Sequence, residues 1–208
     1  MDLRIGSNEL CPESVAYIMR LKEKGIVSTY YQHGSNDRKY PVMREMFYDP
    51  ANPIDTKWIL WFDDDTVCDR DPQWLPILTR HIIEHYPKNN HMFGGKYVWT
   101  MNQDQIELFK ARPWYKKRAF RAKGGKEAPN GRHIIFATGG FWALSTHAMR
   151  ACNIPDPDLG HNGGDYTIGE QLWQGGFGLK AFNGKKQFVR TSSVPRRGLD
   201  ETHFGMKT

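Results

Sequence analysis

Hydrophobic and polar positions along this chain alternate between the two periods expected of strands and helices. Leu3–Ile5 reads as a short strand ending in Gly6-Ser7-Asn8. Pro12 then suits the first turn of a helix that carries Val15, Ile18, Met19 and Leu21 and stops at Gly25. Ile26–Tyr31 is rich in β-branched and aromatic residues and reads as a strand. A second helix is expected over Pro41–Tyr48. Trp58-Ile-Leu-Trp-Phe62 is continuously apolar, the pattern of a strand buried on both faces of a parallel sheet. Asp71-Pro72 reads as the N-cap and first position of a helix with Leu75, Leu78 and Ile82 on one face. Met92–Trp99, Ile134–Ala137, Leu179–Phe182 and Phe188–Arg190 complete the set of strands. The order predicts an α/β fold, a mostly parallel sheet flanked by helices.

At 208 residues the chain suits a single domain spanning 1–208, with no internal repeat to divide it. Charged residues at 25% and hydrophobic residues at 39% exclude disorder and membrane spanning as its main state. No apolar run approaches the ~20 residues that a bilayer demands. Cys11, Cys68 and Cys152 are odd in number and widely spaced, so reduced thiols in a cytoplasmic protein are expected. Met1 leads straight into polar residues, without the apolar stretch of a signal peptide.

Charge changes the picture by where it sits. Between Lys110 and Arg132 nine lysines and arginines face one acid, Glu127, a net +8. Since the whole chain carries +6, everything else carries −2. A slightly acidic body therefore bears one basic segment, residues 110–132, as well as a C-terminal tail, residues 191–208.

The sharpest chemistry is Asp63-Asp64-Asp65, directly after the apolar strand. Adjacent carboxylates repel one another unless a cation or strong donors lie close. Along an extended backbone Asp63 and Asp65 point the same way. Ligands of open α/β sheets bind at the carboxyl ends of strands, and hard divalent cations such as Mg²⁺ or Mn²⁺ take oxygen ligands. The plainer alternative is a solvated acidic turn ahead of the Asp71 helix.

The stretch Trp58-Ile-Leu-Trp-Phe-Asp-Asp-Asp65 resembles the D-x-D segment of GT-A fold glycosyltransferases, above all the large inverting family that uses nucleotide-sugar donors. Upstream, Gly6-Ser7-Asn8, a helix, and Gly34-Ser35-Asn36 with Arg38-Lys39-Tyr40-Pro41 and Arg44 resemble that family's order of elements. Downstream, Thr138-Gly139-Gly140-Phe141-Trp142-Ala143 resembles its acceptor-side glycine turn. Gly163-Gly164-Asp165-Tyr166 followed by Glu170-Gln-Leu-Trp-Gln-Gly-Gly176 is similar to the segment that places its catalytic carboxylate.

The resemblance implies roles for particular residues. Asp65 and Asp63 would ligate Mn²⁺ or Mg²⁺, with His203 completing the shell. Asp63 and Asp64 would contact the donor, a nucleoside diphosphate sugar, most simply a UDP-sugar. Arg38, Lys39, Arg196 and Arg197 would take its diphosphate. Asp165 would be the general base, and Gly139, Gly140 and Trp142 would lie on the acceptor side. The family often has Glu-Asp where this chain has Gly164-Asp165, so one carboxylate remains. Two preceding glycines permit a close backbone approach; helix N-capping is the plainer use of Asp165. His203 also fits an ordinary surface histidine, and Arg38, Lys39 and Arg44 a solvated helix face. Compared with the family, the chain starts at the second strand, which leaves the donor's base open.

The basic segment interleaves cations with Trp114, Tyr115 and Phe120. Trp114, Lys116, Lys117 and Arg118 are the candidate acceptor contacts, for a glycan or for hydroxymethylated DNA. The alternative is an amphipathic surface helix with its aromatics packed inward. Three functions follow: a metal-dependent inverting glycosyltransferase, a metal-dependent nucleotidyltransferase, and a non-catalytic nucleic-acid-binding module. The three carboxylates Asp63, Asp65 and Asp165 favour the first.

Overall fold

A computed structural model describes residues 2–34, 39–63, 66–68, 73–160, 163–182 and 189–191. These fall into two compact units, one within residues 2–56 and 155–164, the other within 57–154 and 165–191. No described helix is long and apolar enough to cross a membrane.

In the first unit β1 (Arg4–Asn8) pairs in parallel with β2 (Thr29–His33), joined by α1 (Pro12–Glu23). Parallel neighbours need such a crossover. Pro12 opens α1 and Gly25, at φ +68°, follows its end, as the sequence predicts. Strand β1 runs on through Gly6-Ser7-Asn8, where a loop is expected. Gly6 lets α2 (Lys39–Tyr48) lie close, because a Cβ there would stand 2.5 Å from Met46 Sδ and 2.6 Å from Val42 Cγ1. Tyr40, Val42, Met43, Met46 and Phe47 form the buried face of α2. Arg44 donates to the carbonyl of Pro155 at 2.7 Å, so it braces the fold.

The second unit is built on a four-stranded sheet in the order β3-β6-β5-β7. Its strands are β3 (Trp58–Phe62), β5 (Asn90–Thr100), β6 (His133–Ser145) and β7 (Gly178–Ala181). A further short pair joins β4 (Thr66–Cys68) to β8 (Val189–Thr191). The helices are α3 (Trp74–His85), α4 (Gln103–Lys110), α5 (Thr146–Cys152) and α6 (Gly164–Gln174). Leu78 and Ile82 of α3 pack on Phe93, Phe141 and Ala143 of the sheet.

The α/β class is as read from the sequence, but the sheet is mixed where a mostly parallel one is expected. β6 runs antiparallel to both β3 and β5, and only β7 joins β5 in parallel. The apolar run of β3 has a different cause from the one inferred. Among the described residues β3 lies at the edge of the sheet, with Leu60 and Trp58 against the α3 core and Trp61 against Trp142 on its other face. The expected glycine turn at 138–143 is also corrected. Residues 133–145 form one strand, because β3 pairs with residues 141–145 and β5 with 133–137 and 142–144.

Candidate active site

Strand β3 leads into Asp63, whose backbone is held on both sides. The Asp63 amide donates to the carbonyl of Gly140 at 3.0 Å, and the Thr66 amide returns to the Asp63 carbonyl at 3.0 Å. Thr66 Oγ1 also donates to Gly140 O. The Gly140 carbonyl therefore holds both Asp63 and Thr66. Trp61, two residues earlier and so on the same strand face, donates its indole N–H to Asp63 Oδ1 at 2.7 Å. The Trp61 ring stacks on Trp142 with centroids 5.7 Å apart and planes at 15°. Trp142 is fully buried. Expected to face an acceptor, it instead supports Trp61, because the pairing of β3 with β6 sets those two rings side by side.

Asp165 is the second residue of α6 and lies inside its first turn, not at the cap. Negative charge is favoured there by the helix dipole. Gly163 has φ +83°, a left-handed conformation that suits glycine. Gly164 faces the Tyr40 ring so closely that a Cβ would come within 1.8 Å of Cζ. The pair of glycines thus does serve a close backbone approach. Further along α6, Gly169 does the same against β6, with a Cβ position 2.5 Å from the Ile135 carbonyl.

Tyr166 anchors the first turn in an aromatic cluster. Its ring is 6.1 Å from Phe136 and 6.3 Å from Phe109, both edge-on, and lies parallel to Trp99 at 6.4 Å and 12°. Burial, aided by the neighbouring Asp165 charge, pushes its phenol up to about 12. Trp99 and Tyr166 are residues the sequence places only as strand and helix members. Their signal was faint: alternation along Lys96–Thr100 puts Tyr97 and Trp99 on one face, and nothing local pairs that face with a helix 67 residues away.

The basic segment is not the helix that amphipathicity suggests. α4 ends at Lys110, and Pro113, Gly124-Gly125 and Pro129-Asn130-Gly131 break the chain beyond it. It is docked on the last turn of α6. Gln174 Oε1 accepts from the amides of Lys116 and Arg118, both at 3.1 Å, and its Nε2 donates to Arg118 O at 2.9 Å. Trp173 donates to Ala119 O at 2.9 Å. The guanidinium carbons of Arg118 and Arg121 lie 3.2 and 3.9 Å from the Trp173 ring centroid. Arg118 also donates to Trp173 O at 2.9 Å and to Glu127 Oε2 at 3.3 Å. Arg118, a candidate acceptor contact, therefore holds the segment in place. Lys116 and Lys117 are exposed, and Trp114 is half-buried with its ring 5.6 Å from Phe109.

Behind this segment sits a buried acid that sequence reasoning left unassigned. Glu170 is fully buried, accepts from Gln174 Nε2 at 2.7 Å through Oε1, and among the described residues has no partner for Oε2. Arg121 is 5% exposed and its Nη1 is likewise unpaired. Burial pushes Glu170 up to about 8 against the pull of Gln174, Arg121 and Arg118, and lowers Arg121 to about 10.

Lys39 opens α2 with its ammonium 5.5 Å from the Tyr40 ring centroid. Gly139 lies within β6. Asp64, Asp65, Arg38, Arg196, Arg197 and His203 lie outside the described residues. Among the described residues no three histidines, cysteines or carboxylates come together as a metal site. What they offer a cation is the Asp63 carboxylate, a hard oxygen donor that suits Mg²⁺ or Mn²⁺.

The chain matches no protein-family model and no curated protein. Among solved structures it is similar to one described as a glucose-1-phosphate thymidylyltransferase from Bacillus anthracis in complex with a sucrose. That likeness has a TM-score of 0.42 at 10% sequence identity and covers 88% of this chain and 68% of that one.

Proposed function

We propose that the protein is a metal-dependent glycosyltransferase that moves a sugar from a nucleoside diphosphate donor to an acceptor hydroxyl with inversion. The observation that carries this reading is the anchoring of Asp63. A carboxylate at the carboxyl end of a sheet strand is oriented by a half-buried indole that stacks on a buried one, and is followed at once by two further aspartates. Such investment in one acid is not needed for a solvated turn. Asp63 would hold the cation with Asp65 and His203, and the bound cation would offset charge on the leaving diphosphate. Asp165 takes the proton of the acceptor hydroxyl as its oxygen bonds to the anomeric carbon and the bond to the diphosphate breaks. The tight Gly163-Gly164 entry and the Tyr166 cluster support Asp165 in this role by fixing the first turn of α6.

A donor screen with Mn²⁺ tests the reading by its leaving group. A nucleoside diphosphate released in step with acceptor modification is expected. Free pyrophosphate instead would assign the protein to the nucleotidyltransferases, and no turnover of any donor would sink both.

A further inference from the structure

The aromatic cluster and the basic segment meet at one end of the β5–β6 ribbon. Thr100 pairs with His133, His133 with Arg121, and Arg121 with Glu127. Neighbouring chains in such a row lie about 4.8 Å apart, so the four span about 15 Å. Trp99 immediately precedes one member of that row, and Arg132 and Lys126 immediately precede two others.

Tyr97 and Trp99 are 56% and 47% exposed, large aromatic side chains reaching solvent although Trp99 lies against Tyr166 and Tyr97 against Phe136. From Lys96 to Thr100 β5 pairs only with β6 among the described residues. Lys123, Lys126 and Arg132 are exposed and have no ion-pair partner among the described residues. The segment's own acid does not neutralise them, since Glu127 is engaged by Arg118 Nε and the Ala119 amide. Arg118 and Arg121, which lie on Trp173, fix the segment; the lysines and Arg132 remain for a partner.

We propose that this end of the ribbon binds a single-stranded nucleic acid, with bases stacking on Trp99 and Tyr97 and phosphates taken by Lys123, Lys126 and Arg132. Aromatic platforms beside unpaired cations are the chemistry by which single strands are held without sequence reading. Charge complementarity selects this partner, because a neutral glycan uses the rings and gains nothing from three unpaired cations. The strand's role as acceptor rests on the transferase reading above. Trp99 lies on Tyr166, the neighbour of Asp165, so a bound strand sits beside the proposed base.

Fluorescence anisotropy of a labelled oligothymidine of about 20 nucleotides against the full chain tests the proposal. Binding is expected to weaken about tenfold or more between roughly 50 and 200 mM salt. Trp99→Ala and Tyr97→Ala are each expected to lower affinity about tenfold. The double change Lys123→Gln with Lys126→Gln is expected to flatten the log–log salt slope by about 1.4. Absence of binding, or affinity indifferent to both aromatic changes in variants with wild-type circular dichroism, overturns the proposal. So does displacement by a neutral or sulfated oligosaccharide at lower concentration than unlabelled oligonucleotide needs. Binding as described without any donor turnover would sink the transferase reading and leave the surface standing.

Discussion

The indole nitrogen of Trp61 sits 2.7 Å from Asp63 Oδ1, and the Trp61 ring lies parallel to the buried ring of Trp142. The carboxylate is thereby tied to the core through two rigid rings. A hydrogen bond to a charged acceptor is worth about 1.5–3 kcal/mol. Trp61→Phe keeps a ring against Trp142 and removes the donor. The Mn²⁺ concentration for half-maximal turnover is expected to rise about tenfold or more, by conversion of that energy. The melting temperature is expected to move little. An unchanged metal response would show that Asp63 needs no such anchor.

Asp165→Asn separates base chemistry from helix structure. Asparagine serves the first turn of α6 nearly as well in shape but accepts no proton from a hydroxyl. General-base removal typically costs about 10²–10⁴-fold in rate. The expected result is a fall of that size in kcat, with donor KM and unfolding midpoint close to wild type. A parallel loss of stability would point to a structural role instead.

How much of this was legible in the sequence depends on how local each cause is. Trp58–Phe62 could be read to the residue because an apolar run bounded by polar residues needs no distant information. α1 was legible from Pro12 and Gly25, which act on their own backbone. β6 was not, since Thr138-Gly139-Gly140 has turn chemistry, and it is the pairing of the residues on either side of it, 133–137 with β5 and 141–145 with β3, that carries one strand through it. Trp142 illustrates the same limit at the site: its motif suggested an acceptor contact, while the register against Trp61 put it inside. Arg118 read as a candidate acceptor contact and Arg121 as one charge of the basic segment, while both lie on the Trp173 ring of a helix more than 50 residues on.

Gly164→Ala tests whether the glycine pair is needed for packing. The added methyl would sit within 1.8 Å of the Tyr40 ring, whose side chain is itself buried. Overpacking of this kind costs about 1–3 kcal/mol. Urea unfolding is expected to show a loss of that order, partly recovered by the further change Tyr40→Leu. Wild-type stability in Gly164→Ala would mean that the ring moves aside freely.

Glu170 sets a pH dependence with a definite sign. Its folded carboxyl titrates near 8, because burial disfavours the charge more than Gln174, Arg121 and Arg118 favour it. In the unfolded chain a glutamate titrates near 4.3. Below both values the group is protonated in either state and costs nothing. Between them the folded state holds a proton that the unfolded state has released, so stability falls as pH rises, by up to about 1.4 kcal/mol per unit. Above about 8 the loss levels off. Arg121, lowered to about 10, stays charged in both states across this window and leaves the slope unchanged. Glu170→Gln keeps an acceptor for Gln174 and cannot ionise. Its unfolding free energy is expected to be flatter than wild type between about pH 5 and 8, overtaking wild type at the alkaline end. Denaturant titrations at pH 5, 6.5, 8 and 9 compare the two proteins. Equal slopes would place a partner on Glu170 Oε2 that stabilises the carboxylate.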